Sequence, residues 1–265
     1  MTSKFLFNGF NASPFLGAPV PLPEQIEAAA AAGFDLVAFD RFSLERFEAD
    51  GGVMSHLLRR LERSGIGCGA ITAAAALGDG SDTDTALRKA AAWAESLGVA
   101  LVQINVVAEP PAQAAALEVA CSAVDGKARL AIEYLPFTPL ARVGDTVELA
   151  RTVGFERAGV LIDIWHHERG PDDWDALARV PPEAVAYIEF DDALPLERAD
   201  LGFETLSRRT FPGDGVFDCG RFADAMRAIG AAGLISIEVL SAAWRGDDFT
   251  AFAHTCLAKS RPYWT

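Results

Sequence analysis

A chain of 265 residues, 51% hydrophobic and 23% charged, can bury the core of one large domain spanning 1–265, and it is too apolar to be disordered. Its formal net charge of −14 repels phosphate backbones and argues against nucleic acid as a partner, leaving a small molecule. No apolar run is long enough to cross a bilayer and the amino terminus lacks a signal-peptide stretch, so the expectation is a cytoplasmic protein without a membrane partner.

In chain order, apolar strand-like runs alternate with helix-like stretches, the pattern of a parallel sheet with helices packed outside. Strands are predicted at 4–10, 36–39, 67–72, 101–107, 129–134, 159–164, 186–190 and 234–240, with runs that suit burial on both faces. The first helix, 22–32, starts near Pro23, carries Glu24 and Glu27 early and stops at Gly33. Helices at 53–64, 83–97, 113–124 and 146–153 follow, with glycine stops at Gly65, Gly98, Gly126 and Gly154. A short helix at 172–177 ends before Pro181 and Pro182. The stretch from Asp191 to Val216 is the longest irregular one, and such a length in a compact domain predicts a functional lid. Asp218 is placed to cap a helix at 221–232, and 249–258 supplies the last. Eight strand–helix units in this length predict a (β/α)8 TIM barrel. The doubly wound alternative lacks a glycine-rich dinucleotide fingerprint after the first strand.

Four scattered cysteines, Cys68, Cys121, Cys219 and Cys256, argue against a zinc cluster or a disulfide framework. The acids carry more information. Glu133, Asp163, Glu189 and Glu238 each sit at or near the end of a separate apolar run. One buried acid is usually a structural residue held by local hydrogen bonds, but four on four strands would need four independent rescues. The carboxyl ends of barrel strands share one mouth, so the four converge and need protons or a cation. An all-oxygen set selects a hard divalent ion, Mn2+ or Mg2+, over zinc.

These residues occur in Ile132-Glu133, Leu161-Ile162-Asp163-Ile164-Trp165-His166 and Ile237-Glu238-Val239. Together with Phe211-Pro212-Gly213-Asp214-Gly215-Val216-Phe217-Asp218, they resemble the sugar phosphate isomerase/epimerase family of the xylose isomerase-like TIM barrels, over nearly the whole chain. The resemblance implies a divalent metal held by Glu133, Asp163, Glu238 and a seventh-strand residue. That residue is histidine or glutamine in the family and Glu189 here, a departure that adds negative charge. It also implies that His166, three residues after Asp163, contacts substrate and exchanges protons, a task suited to a group titrating near neutrality. His167 points the other way if the strand continues, so it is structural or supports a site residue from behind. The implied activity is isomerisation or epimerisation of a sugar, keto sugar or related polyhydroxylated compound through a metal-stabilised enediolate. Glu133 and Glu238 act there from opposite sides of the reacting carbon. A homodimer or homotetramer is implied as well.

Trp165, Tyr134 and Trp244 are candidate aromatic walls for a sugar or ring substrate, each equally readable as ordinary core. Arg208 and Arg209, just before the Pro-Gly-Asp-Gly turn, are candidates for an anionic or hydroxyl-rich substrate, against the plain reading of solvated loop arginines. Asn8, Gln103 and Asn105 lie near strand ends where they can bond hydroxyls, and Asp191-Asp192 reads as a solvated start to the long segment, with Asp192 able to orient a neighbour. The same acids and Asp-x-x-His spacing also fit a lyase similar to the barrel-type dehydroshikimate dehydratases. A degenerate barrel that only binds a ligand is a further alternative. The related apurinic endonucleases need a histidine-rich cluster and a basic surface, which four histidines and this charge do not supply.

Overall fold

Eight parallel strands close into a barrel in the computed structural model, which describes residues 3–265. The barrel strands are β1 (Lys4–Asn8), β2 (Leu36–Asp40), β3 (Gly67–Leu77), β4 (Leu101–Val106), β5 (Arg129–Glu133), β6 (Ala158–Asp163) and β7 (Val185–Phe190). A two-stranded antiparallel sheet of β8 (Asp192–Ala193) and β9 (Arg209–Thr210) precedes the last barrel strand, β10 (Leu234–Ile237). Neighbours follow the order β1-β10-β7-β6-β5-β4-β3-β2, with β1 closing on β2. The expected (β/α)8 architecture is what the chain adopts.

The helices are α1 (Leu22–Ala32), α2 (Arg41–Ala49), α3 (Met54–Ser64), α4 (Thr83–Leu97), α5 (Pro110–Val124) and α6 (Val143–Arg151). After them come α7 (Ile164–Arg169), α8 (Trp174–Ala178), α9 (Leu201–Ser207), α10 (Cys219–Ala228) and α11 (Phe249–Ser260). Glycines in the left-handed region stop α1, α3 and α4, where the turn needs a positive φ that other residues adopt only under strain. Aspartates begin others: Asp82, Asp173, Asp200, Asp218 and Asp248 each accept a backbone N–H in the first turn of α4, α8, α9, α10 and α11. No helix among the described residues is long and apolar enough to cross a membrane.

Several boundaries differ from expectation for local reasons. β1 stops at Asn8, because the Asn8 side chain caps a 3-10 turn at Gly9–Ala12. β6 stops at Asp163, whose carboxylate caps α7, so Ile164 and His166 are helical rather than strand. β3 runs on to Leu77 through a register slip between Ile71 and Ala75, where Ala73 takes a φ of 51°. Helix α2 is not among the expected elements: four of its nine residues are charged, which masks its apolar stripe. The stretch expected to be irregular holds α9 and the small antiparallel β8–β9 sheet that brackets it.

Successive side chains on a strand point to opposite faces. The outward set, including Phe7, Val37, Phe39, Ile104, Ile132, Ile162 and Ile188, packs against the helices in one continuous core. The inward set is apolar only in the lower barrel, where Leu6, Ala38 and Ala70 form one cluster and Ala131, Leu161 and Tyr187 another. Two residues further along, the inward positions turn polar: Asn8, Asp40, Thr72, Asn105, Glu133, Asp163 and Glu189.

Candidate active site

The alternation that lines the lower barrel with Ala131, Leu161 and Tyr187 brings Glu133, Asp163 and Glu189 to its carboxyl end. Glu133 stands opposite Leu161 in register, and Asp163 opposite Glu189. Glu238, one residue past β10, completes the ring. Each of the four offers a carboxylate oxygen, and these atoms lie within 4.8 Å of one another, all buried. Converged oxygen donors of this kind suit a hard divalent cation, so the residues present fit the metal that the sequence implies.

The Asp-x-x-His spacing is one helical turn. Asp163 Oδ1 accepts the Trp165 N–H at 2.7 Å and starts α7, which carries His166 back over the strand end. His166 Nε2 then lies 2.9 Å from Glu133 Oε1 and 3.3 Å from Asp163 Oδ2. Amides hold the remaining oxygens. Asn8 Nδ2 donates to Glu189 Oε1 at 2.8 Å and to Glu238 Oε1 at 2.9 Å, while Gln103 Nε2 and Asn105 Nδ2 donate to Glu133 Oε2 at 2.7 and 2.9 Å. Arg209 reaches in from β9: its Nη1 donates to Asp163 Oδ2 at 2.9 Å and to Asp191 Oδ2, and lies 3.4 Å from Glu238 Oε2.

With only these protein groups around them, the acids differ. Burial opposes ionisation of Glu133, but the charge and hydrogen bond of His166 and the Asn105 amide hold its carboxyl below the usual range. Burial pushes Glu189 well up, reinforced by the charges of Glu238, Glu133 and Asp163. Glu238 is pushed up to about 8, by burial first and then by Glu133 and Asp163, with Arg209 pulling the other way. With protein groups alone around them, the carboxyl on β5 is thus held down while those on β7 and after β10 are pushed up.

Above the acids lies a pocket of about 210 Å³. Its floor is polar, with Gln103, Asn105, Glu133, His166, Glu189, Arg209 and Glu238, and its walls include Phe10, Phe15, Leu135, Phe137, Leu206 and Leu240. A larger depression beside Pro19, Pro21 and Phe47 contains none of the four acids.

The structure thus brings together Glu133, Asp163, Glu189, Glu238, His166 and Arg209. It places the other expected substrate contacts elsewhere. Trp244 is 39% exposed against Phe211 at 5.0 Å, in a surface groove with Val239 and Phe252. Tyr134 is buried core beside β5, its side chain outside the pocket. Trp165 backs the site instead of walling it: its ring meets the His166 ring edge-on at 5.2 Å, and the Arg209 guanidinium carbon lies 5.6 Å from its centre. Arg208 turns away to Glu197 at 2.7 Å and Glu204 at 3.2 Å. His167 packs on Trp174 at 4.8 Å, consistent with a structural role.

Asp191 and Asp192 are fully buried, correcting the expectation of a solvated loop start. Asp191 binds Arg209. Asp192 accepts backbone N–H groups from Ala193, Gly213, Gly215 and Phe217, and so shapes the Pro-Gly-Asp-Gly turn. A Cβ on Gly215 would collide with that carboxylate. The period of two held a signal for Asp191, which is two residues after Glu189, and for Gln103 and Asn105 on one face of β4. The wall residues Phe15 and Phe137 had none, because they lie on turns outside any strand; Phe10 shares the face of Leu6 and Asn8 in the strand expected at 4–10, but it lies on the 3-10 turn that follows β1.

Comparison with known proteins agrees with the barrel fold. Residues 26–253 match the model of the xylose isomerase-like TIM barrel family. A 3-dehydroshikimate dehydratase of Pseudomonas aeruginosa is 28% identical over 242 residues, 84% of this chain and 37% of that protein. An inosose isomerase of Bacillus subtilis is 23% identical over 113 residues, 42% of this chain and 40% of that one. The alignments therefore span well under half the length of these relatives. Among solved structures, an IolI protein with a bound zinc atom superposes with a TM-score of 0.87 at 16% identity, covering 99% of both chains. An L-ribulose 3-epimerase superposes at 0.75 and 18% identity, covering 99% of this chain and 96% of that one.

Proposed function

Because the chain belongs to the xylose isomerase-like TIM barrel family, we propose that it is a divalent-metal-dependent isomerase or epimerase of a sugar, keto sugar or related polyhydroxylated compound. The observation that carries this reading is the convergence of Glu133, Asp163, Glu189 and Glu238 at the carboxyl end of the barrel, where Glu133, Glu189 and Glu238 line a pocket and Asp163 is buried beneath it. These four would hold the ion, with Mn2+ or Mg2+ favoured by their all-oxygen character. When bound, the ion supplies Lewis-acid polarisation of neighbouring substrate oxygens.

The protein's own groups do the rest. Glu133 and Glu238 come from β5 and from beyond β10, two non-adjacent strands, and both line the pocket, one to take a proton from carbon and the other to return it. His166, buried against Glu133 and Asp163, is positioned to move a proton at a substrate oxygen. Asn8, Gln103 and Asn105 fix the carboxylates in place, and Phe10, Leu135 and Leu240 give the pocket apolar walls against which a substrate's carbon skeleton can rest.

A second reading, a lyase that expels a β-hydroxyl instead of returning the proton, is favoured by the match to the dehydratase over 84% of this chain. Purified protein is expected to carry a divalent ion and to melt lower after chelation, with recovery on adding Mn2+ or Mg2+. Incubating it with keto sugars, inososes and hydroxy-keto acids in D2O separates the readings. Deuterium incorporated at carbon with mass otherwise conserved means isomerisation or epimerisation, and loss of water means the lyase. No exchange and no turnover in the metal-loaded protein would defeat both.

A further inference from the structure

The proposed metal site already contains a cation. Arg209 is 1% exposed, and among the described residues it and His166 are the basic side chains within 4.0 Å of the clustered acids. Its Nη1 is spent on Asp163, Asp191 and Glu238, and two of these three also belong to the converged four-acid set. The rest of the side chain is tied down separately: Nε donates to the Thr205 carbonyl at 3.1 Å and Nη2 to Thr205 Oγ1 at 2.8 Å. A guanidinium donor and a divalent ion claim the same carboxylate lone pairs and repel each other at close range.

Resting on that metal reading, we infer that Arg209 is an internal counter-cation that competes with the divalent ion for Asp163 and Glu238, so that metal entry displaces its guanidinium toward the pocket. Glu189 gives the device a reason: with an acid at the seventh strand, and with Asp191 beside it, the cluster holds five carboxylates that must stay compatible when no ion is bound. Arg209 lines the pocket together with Thr205 and Leu206, so the displaced group stays within reach of a bound molecule. A ligand carrying a carboxylate or other oxyanion that captures the guanidinium therefore raises metal affinity, and by linkage the metal raises affinity for that ligand by the same factor.

The test is calorimetric titration of Mn2+ into metal-free wild type, Arg209→Met and Thr205→Val, with thermal melts in chelator alongside and Glu238→Gln as the site control. Arg209→Met is expected to bind Mn2+ about tenfold more tightly or better, since each 1.4 kcal/mol of removed competition is about tenfold. It should melt below wild type in chelator and recover with Mn2+. Thr205→Val keeps the arginine and the charge, and should gain affinity in the same direction by a smaller factor. Should Arg209→Met fail to fold, Thr205→Val decides. Equal or weaker Mn2+ binding in the variants, with binding abolished by Glu238→Gln, overturns the competition and leaves the metal site standing. No Mn2+ binding by wild type or either variant removes the metal site itself, and the competition with it.

Discussion

Each end of this barrel holds an arginine, and the two answer to different kinds of acceptor. At the amino-terminal end Arg129 reaches across Gly159, where a Cβ would collide with it, and donates to the backbone carbonyls of Glu183, Ala184 and Val185. These acceptors are neutral and fixed by the chain, and burial pulls the arginine below its ordinary pKa. At the carboxyl end Arg209 is more deeply buried, and burial alone would pull it down, yet it is driven well above its ordinary value by the summed charges of Asp163, Asp191, Glu238 and Glu189. Between the two lies the apolar layer of Leu6, Ala38, Ala70, Ala131, Leu161 and Tyr187. The lower arginine closes a scaffold whose partners cannot change. The upper one balances charges that a ligand can redistribute, and this difference separates structure from site in a barrel made of the same eight strands.

The largest effect expected to test this contrast comes from Glu238→Gln. Mn2+ at about a hundredfold over its Kd should stabilise wild type by about 2.7 kcal/mol, and the variant by nothing. In chelator at pH 8 the variant should be at least as stable as wild type, because the amide needs no proton to sit there. Metal-dependent melts read both outcomes, and a variant that still responds to Mn2+ would place the ion elsewhere. Next comes Arg129→Met, expected to cost about 1–2 kcal/mol through lost hydrogen bonds from a charged donor. It should leave Mn2+ affinity at the wild-type value. A change in affinity there would mean that the two ends are coupled through the apolar layer.

The pH dependence of the metal-free protein sharpens the contrast further. Folding raises Glu238 from 4.5 to about 8 and Glu189 well above 4.5. Between 4.5 and 8 the folded state thus holds more protons than the unfolded chain, and stability falls as pH rises through that window. The slope is at most about 1.4 kcal/mol per pH unit for each group. Glu133, held below 4.5, acts in the opposite sense, and its contribution is lost only as pH falls below that value. Melts of chelated protein across the window should decline toward high pH, less steeply in Glu238→Gln. A flat wild-type profile would mean that the acids are balanced by something other than protons.

Much of this contrast was legible in the chain, because a strand obeys a period of two. The run Leu130-Ala131-Ile132-Glu133 already assigns Ala131 and Glu133 to one face and the apolar pair to the other. Once eight such runs imply a barrel, the acids at their ends must meet. What the period cannot reach is residues brought in by turns. Phe15 and Phe137 enter the pocket from connections whose paths depend on packing, and the burial of Asp191 depends on an arginine eighteen residues later. Trp244 looked like a wall residue from composition alone, and it faces Phe211 and Phe252 because the 3-10 turn at Ala242–Trp244 carries it outside the barrel mouth.

Arg208 and Arg209 show the limit most directly, and they support the smallest effect. Adjacent in sequence and alike in side chain, they diverge because Arg209 opens β9 and points into the barrel mouth, while Arg208 caps the end of α9 and points out. Arg208 is 22% exposed and pairs with Glu197, itself half exposed, and with the buried Glu204. Glu204 keeps other partners without it, since its Oε1 accepts the backbone N–H groups of Glu197 and Arg198. Arg208→Ala should therefore cost less than about 1 kcal/mol in stability, as partly exposed pairs do. It should leave Mn2+ affinity within about twofold of wild type, since its charge lies outside the cluster and is screened. Calorimetry on Arg208→Ala beside Arg209→Met reads the two neighbours against each other. Equal effects on metal binding would mean that net charge near the mouth governs the site, and the position of one guanidinium does not.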